Sequence, residues 1–123
     1  MSEKLSPIEA IKTQSDGLRG TLKESIDLDS HTGNVRPDDE TLVKFHGMYV
    51  QDDRDRRAER AAKKLDKLYS FMIRLRIPGG VISANQWIAT HEISEQYGTG
   101  TLKITTRQTL QLHGLLKHQL RPT

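Results

Sequence analysis

The sequence contains no cysteine. This absence excludes disulfide bonds, thiolate catalysis and any zinc or iron–sulfur site ligated by cysteines of this chain. Aromatic residues make up only 5% and apolar residues 34% of the 123 positions, which leaves little side-chain volume for a large core. No run approaches the roughly 18 apolar residues of a transmembrane helix, and the N-terminus lacks the apolar segment of a secretory signal. We therefore expect a soluble, cytoplasmic protein without membrane contact.

Charged residues are plentiful, at 28% of the chain, and leave a formal net charge of +3. A net positive charge of this size is compatible with anionic ligands or with nucleic acid. The run DDRDRRAER mixes both signs, which is typical of a solvated helix face with ion pairs rather than of a nucleic-acid surface. His46, His91 and His113 stand in no metal-ligand spacing, so no metal site is predicted within the chain.

Residues 1–50 are predicted to form an irregular, extended arm, because their Asp, Ser, Gly, Asn and Pro residues favour turns. Short helices are expected near residues 7–11 and 20–26. From Asp53 to Tyr69 apolar residues recur at helical spacing within a charged run. Residues 51–69 are therefore predicted to form a charged helix, with Asp52 or Asp53 as its N-cap.

Residues 70–123 alternate strand and helix patterns. FMIRLRIPGG predicts a strand over 71–77, and TLKITTRQTLQLHG predicts another over 101–113. The helix between them, over 83–97, has Ser83 and Gln86 in capping-box spacing and Gly98 at the expected C′ position. This pattern predicts a βαβ unit with parallel strands that needs further strands for stability. The fold class is α+β. The helix residues expected to be buried are Trp87, Ile88, Ile93 and Tyr97.

Strand alternation gathers polar side chains on one face of the second strand. Arg74 and Arg76 share a face of the first strand, so the unit is predicted to present a cationic surface with almost no acid. Guanidinium groups pair bidentately with carboxylates and keep their charge when desolvated, which suits an anionic ligand. A merely solvated outer face is the alternative. The polar residues of the second strand are Thr101, Lys103, Thr105, Arg107, Thr109, Gln111 and His113.

Three runs, KFHGMYVQDDRDRRAER, FMIRLRIPGGVISANQW and GTGTLKITTRQTLQLHGLLK, resemble the N-terminal part of the siroheme-containing sulfite and nitrite reductases in order and spacing. Within that family they are similar to the hemoprotein β components of NADPH-dependent assimilatory sulfite reductases. The resemblance extends from Leu18 to Lys117. It implies the first half of a ferredoxin-like unit over residues 70–123. It also implies a part in the six-electron reduction of sulfite to sulfide, for sulfur assimilation and cysteine biosynthesis.

The same resemblance implies cofactors and residue roles. Family members use siroheme coupled to a 4Fe–4S cluster and receive electrons from a flavoprotein α component. Arg74 matches an arginine that holds sulfite and helps supply protons, and Arg107 matches a siroheme-facing arginine. Lys103 stands where relatives can have arginine. Because the cluster cysteines are absent, the isolated chain is expected to be inactive. The residues matching positions that contact the macrocycle or its carboxylates are Thr105, Gln111 and His113.

Other readings stay open at this point. The chain could be a piece of a ferredoxin-dependent sulfite or nitrite reductase, which shares the TTRQ-type strand. A small basic nucleic-acid-binding protein is a second alternative, although few aromatic residues are available for base stacking. A marginally folded, non-catalytic remnant is a third, because the predicted core is small.

Overall fold

The computed structural model describes residues 4–123, which contain both helices and strands. The helices are α1 (Pro7–Gln14), α2 (Leu22–Asp27), α3 (Pro37–Phe45), α4 (Arg57–Ala62) and α5 (Ala84–Tyr97). The strands are β1 (Met48–Asp52), β2 (Tyr69–Arg74), β3 (Leu102–Ile104) and β4 (Leu110–Leu115). The α+β class is confirmed, and so are the short helices predicted near residues 7–11 and 20–26.

The four strands form one sheet in the order β1-β2-β4-β3, and every neighbouring pair is antiparallel. The single strand predicted over 101–113 is wrong, because this segment folds back as the β3–β4 hairpin. β2 and β3 do run in the same direction, as a βαβ unit requires, but β4 lies between them. The result is the split βαβ arrangement of ferredoxin-like folds.

A tight turn separates β3 from β4. The Gln108 N–H donates to the Thr105 carbonyl at 3.1 Å, and the Thr105 N–H donates to the Thr109 carbonyl at 2.9 Å. Gln108 takes a left-handed φ of 60°. This is the three-residue hairpin loop in which a β-turn is followed by one left-handed residue. Glycine usually fills that position, so a glutamine there gives the sequence no turn signal.

The core lies on one face of the sheet, where Phe71 and Leu112 are buried together with Leu115 and Val35. Phe71 pairs with Leu115 and Ile73 with Leu112, so β4 has one more residue than β2 between these pairs. Gly114, with φ of 77°, accommodates this bulge. Because of this extra residue, Leu112 and Leu115 both lie on the core face although they are three positions apart.

The charged helix predicted over 51–69 is much shorter, because only Arg57–Ala62 is helical. Lys64 takes a left-handed φ of 55°. The Leu65 N–H donates to the Arg60 carbonyl and the Lys64 N–H to the Ala61 carbonyl, at 2.8 and 3.0 Å. These are the two hydrogen bonds of a Schellman C-cap. Because lysine occupies the usual glycine position, the sequence does not reveal this stop.

The arm is more ordered than predicted. It contains α3, which begins at Pro37 with acidic residues in its first turn, a recognisable start signal. It also contributes most of β1, whose residues pair with β2 from Met48 opposite Ile73 to Asp52 opposite Tyr69. The arm is therefore part of the sheet. The predicted domain boundaries, after residue 50 and before residue 70, stay a prediction.

Helix α5 begins as predicted, with Ser83 and Gln86 forming both hydrogen bonds of a capping box. Gly98 is the C-cap and has extended backbone rather than the left-handed C′ conformation. A Cβ at Gly98 would lie 2.8 Å from the His113 carbonyl oxygen, so close approach to β4 requires glycine here. Ile93 and Tyr97 pack against the core. The other two residues predicted to be buried are 44% and 53% exposed, so that prediction is wrong for Trp87 and Ile88.

Asp39 joins the first helices. Its carboxylate is 1% exposed and accepts hydrogen bonds from the Thr21 N–H and hydroxyl and from the Ser25 hydroxyl. We predict that Asp39→Ala lowers the free energy of unfolding by about 3 kcal/mol, because it removes the acceptor of the buried Ser25 hydroxyl and of the two partly buried Thr21 donors. Urea unfolding measures this loss. The matched control is Asp38→Ala at the neighbouring exposed position, and an equal loss in both variants would contradict the role of Asp39.

Candidate functional site

The sheet face opposite the Phe71 core, here called the cationic face, bears a row of polar side chains across three strands. Arg74 on β2 pairs with Gln111 on β4, which pairs with Lys103 on β3. Paired residues of antiparallel strands project to the same side of a sheet, about 5 Å apart from strand to strand. Arg74, Gln111 and Lys103 therefore form one row, which we call the cationic row.

No carboxylate projects from this face among the paired residues of the described strands. β1 contributes Tyr49 opposite Met72, and Gln51 opposite Ser70. The acid of β1, Asp52, is in register with Tyr69 and alternates to the other face. Of the cations predicted for this surface, the strand register brings Arg74 and Lys103 to one acid-free face, where the arm strand, β2 and the hairpin meet.

Arg74 is half-buried within the cationic face. Its Nε is buried without a hydrogen-bond partner among residues 4–123. The guanidinium carbon lies 5.6 Å from the centre of the Tyr49 ring. A buried guanidinium N–H normally has an acceptor, and an unsatisfied one is costly. Arg74 is thus the residue of this face best suited to an anion that would supply the missing acceptor.

His113 follows Gln111 by two residues on β4, and its Nε2 lies 3.0 Å from Gln111 Oε1. The amide oxygen accepts only, so this contact requires a proton on Nε2. Burial, and secondarily the charge of Lys103, lower the pKa of His113 below its usual value of 6.5. The lowered pKa favours the neutral imidazole, whose contact holds the Gln111 amide within the cationic row.

Thr105 and Arg107 lie in the hairpin turn rather than on a strand. Arg107 is exposed, and its N–H donates to the Thr105 hydroxyl at 3.3 Å. The turn is anchored by the buried Thr109, whose hydroxyl donates to the Leu75 carbonyl. Thr109 thus has a structural hydrogen bond, and its predicted place on the polar face stays a prediction. The turn lies just beyond the row, since Lys103 and Thr105 are two residues apart.

Arg76, predicted to share the face of Arg74, lies beyond the end of β2 and is exposed. It lines a separate concavity with Gln86 and Thr90 of α5. Two other histidines have structural partners: His46 Nε2 lies 2.9 Å from the Leu18 carbonyl oxygen, and His91 faces Glu95 one helical turn away at 3.4 Å. The sequence analysis missed Tyr49, although it lies within the FHGMY run.

Within residues 4–123, His, Asp and Glu side chains form no group that could hold a metal ion. The helices of the described part are each too short or too polar to cross a bilayer.

Comparison with known proteins adds evidence about this site. The family model of the nitrite/sulfite reductase ferredoxin-like half domain matches residues 63–122. The half domain contains β2, α5, β3 and β4, and therefore the whole cationic row. Tyr49 and the rest of β1 lie outside the matched region.

Curated relatives match the longer chain. The sulfite reductase (NADPH) hemoprotein beta-component of Leptospira biflexa serovar Patoc is 62% identical over 115 residues, covering 94% of this chain and 20% of the relative. The protein of the same name from Methylobacterium nodulans is 59% identical over 119 residues, covering 97% and 20%. That from Acidithiobacillus ferrooxidans is 55% identical over 118 residues, covering 96% and 21%. The chain spans about a fifth of the length of these relatives.

We predict that Lys103→Met raises the pKa of His113, because the substitution removes a nearby positive charge that disfavours the imidazolium. The pKa stays below its usual value, since burial is the larger cause. NMR titration of the His113 ring protons measures the change. Lys44→Met removes the same charge from α3 and should leave the His113 titration unchanged, and an equal shift in both variants would refute the specific effect of Lys103.

Proposed function

We propose that this chain supplies the sulfite- and siroheme-facing strands of an assimilatory sulfite reductase, which reduces sulfite to sulfide with six electrons. The strongest support is the acid-free cationic row, in which Arg74 has a buried Nε without an acceptor. Sulfite is a small oxyanion and siroheme bears several carboxylates. Both require donors that remain charged when water is excluded, and guanidinium meets that requirement.

Arg74 binds the sulfite oxygens. A guanidinium group carries a delocalised positive charge, so Arg74 stabilises negative charge throughout the reaction. For the same reason Arg74 is a poor proton donor, so Arg74 is assigned anion binding rather than the proton supply that the resemblance implies. The protons consumed when S–O bonds break must pass through water or another group, and Arg74 serves to hold the anion in place while they arrive.

Siroheme, when bound, provides the iron at which sulfite accepts electrons, coupled to a 4Fe–4S cluster. The donors of this chain fit its carboxylates: Lys103 and Arg107 bring charge, and the neutral His113 orients the Gln111 amide. Lys103 retains only a point charge where arginine would make a bidentate contact. Because the chain has no cysteine, the iron and cluster thiolates come from other parts of the protein. The residues proposed to face siroheme are Lys103, Thr105, Arg107, Gln111 and His113.

The proposal extends to the partners of the whole protein. Electrons come from NADPH through a flavoprotein α component, and the enzyme works in the cytoplasm. The relatives named above bear the NADPH-linked name, which favours this donor over ferredoxin. Two observations argue against a nucleic-acid-binding protein. The basic residues around α4 form ion pairs with acidic neighbours. The family model that matches the chain describes a reductase half domain.

Arginine substitutions in the full-length, siroheme-loaded protein test these roles. Arg74→Ala should lower kcat/KM for sulfite by about 100-fold, because it removes charge and donors from the bound anion. Its siroheme content should stay near that of the unaltered protein. Arg107→Ala should instead shift the siroheme absorption spectrum and reduce siroheme retention. Steady-state kinetics, absorption spectra and siroheme quantification measure the two effects.

Arg56→Ala is the control, because Arg56 is exposed and distant in sequence from both β2 and the hairpin. It removes one positive charge and should leave kinetics and spectra unchanged. If Arg74→Ala and Arg107→Ala both behaved like this control, the assignment of the cationic face to sulfite and siroheme would be wrong.

A further inference from the structure

Arg74 is held in place by an aromatic ring rather than by an acid. Within the described part of the chain, no carboxylate lies within ion-pairing distance of its guanidinium. The Tyr49 ring lies 5.6 Å from the guanidinium carbon, within the range of a cation–π contact. An acidic partner would neutralise the guanidinium of Arg74 and accept its N–H groups, whereas an aromatic ring brings no competing anion.

The β1–β2 register brings this ring to Arg74. Tyr49 is directly opposite Met72, so Arg74 is its diagonal neighbour on the same face. The Gly47 carbonyl accepts a hydrogen bond from the Arg74 N–H at 2.8 Å. Gly47 has φ of 78°, and a Cβ there would lie 3.2 Å from the Arg74 carbonyl oxygen. Residues 47–49 therefore contact both the backbone and the side chain of Arg74.

We propose that Tyr49 is a positioning residue for Arg74, and that the HGMY segment of the arm fixes the guanidinium for oxyanion binding. This inference rests on the proposed function of Arg74. Through Tyr49, β1 contributes to a site whose other residues, Arg74, Lys103 and Gln111, all lie within residues 63–122. The aromatic ring stabilises the cation without neutralising it, so the full charge of Arg74 remains available to the bound anion.

The test is equilibrium sulfite binding to the full-length, siroheme-loaded protein, followed by the siroheme absorption spectrum without reductant. Tyr49→Leu should weaken sulfite binding about fivefold, the size of effect expected for loss of a partly buried cation–π contact. Tyr49→Phe retains the ring and should bind within about twofold of the unaltered protein. In turnover, Tyr49→Leu should raise KM more than it lowers kcat. Tyr49→Met provides a second variant without the ring if Tyr49→Leu lowers siroheme content.

A double-mutant cycle separates positioning from general stability. If Tyr49 acts through Arg74, Tyr49→Leu should cause no further loss of sulfite affinity in an Arg74→Ala background. Equal losses in both backgrounds, or unaltered affinity in Tyr49→Leu, would overturn the role of Tyr49 while leaving the proposed function intact. Unaltered sulfite affinity in Arg74→Ala itself would overturn the proposed function, and this inference with it.

Discussion

The antiparallel pairing of β2 with β4 is the contact on which the other features of the molecule depend. Because successive side chains of a strand alternate between faces, this pairing places Phe71 opposite Leu115 in the core and Arg74 opposite Gln111 on the other side. The Gly114 bulge adjusts the register between these two points. Core and cationic face are therefore two sides of the same hydrogen-bonded ladder, and a shift of one residue would disrupt both.

The arm is tied to this ladder through contacts distant in sequence. Lys117, 8% exposed, donates through Nζ to the carbonyls of Asp29 and Asn34. Burial lowers the pKa of Lys117, with the charge of Asp29 acting in the opposite direction. Val35 completes the core beside Phe71. These contacts explain why residues predicted to be irregular are ordered: their stability comes from the half domain rather than from local preference.

Sequence motifs correctly predicted helices that begin at a recognisable capping residue. Ser83 and Gln86 identified the start of α5, and the run TTRQTLQLHG lies within the region that the half-domain family model matches. Two of the failures share a cause. Gln108 and Lys64 adopt left-handed backbone conformations where glycine is usual, so a hairpin turn and a helix end left no trace in the composition. Tyr49 was missed because a cation–π partner is defined by register between distant segments.

The sequence by itself determined which side chains are available: cations without nearby acids, no thiol ligands, and an alternation that assigns leucines to one face and polar residues to the other. The tertiary structure decided how they meet. It folded one predicted strand into a hairpin, inserted β4 between β2 and β3, and brought Tyr49 from the arm beneath Arg74. Alternation is a local property of the chain, whereas strand order and register depend on which distant surfaces bury the most apolar area together.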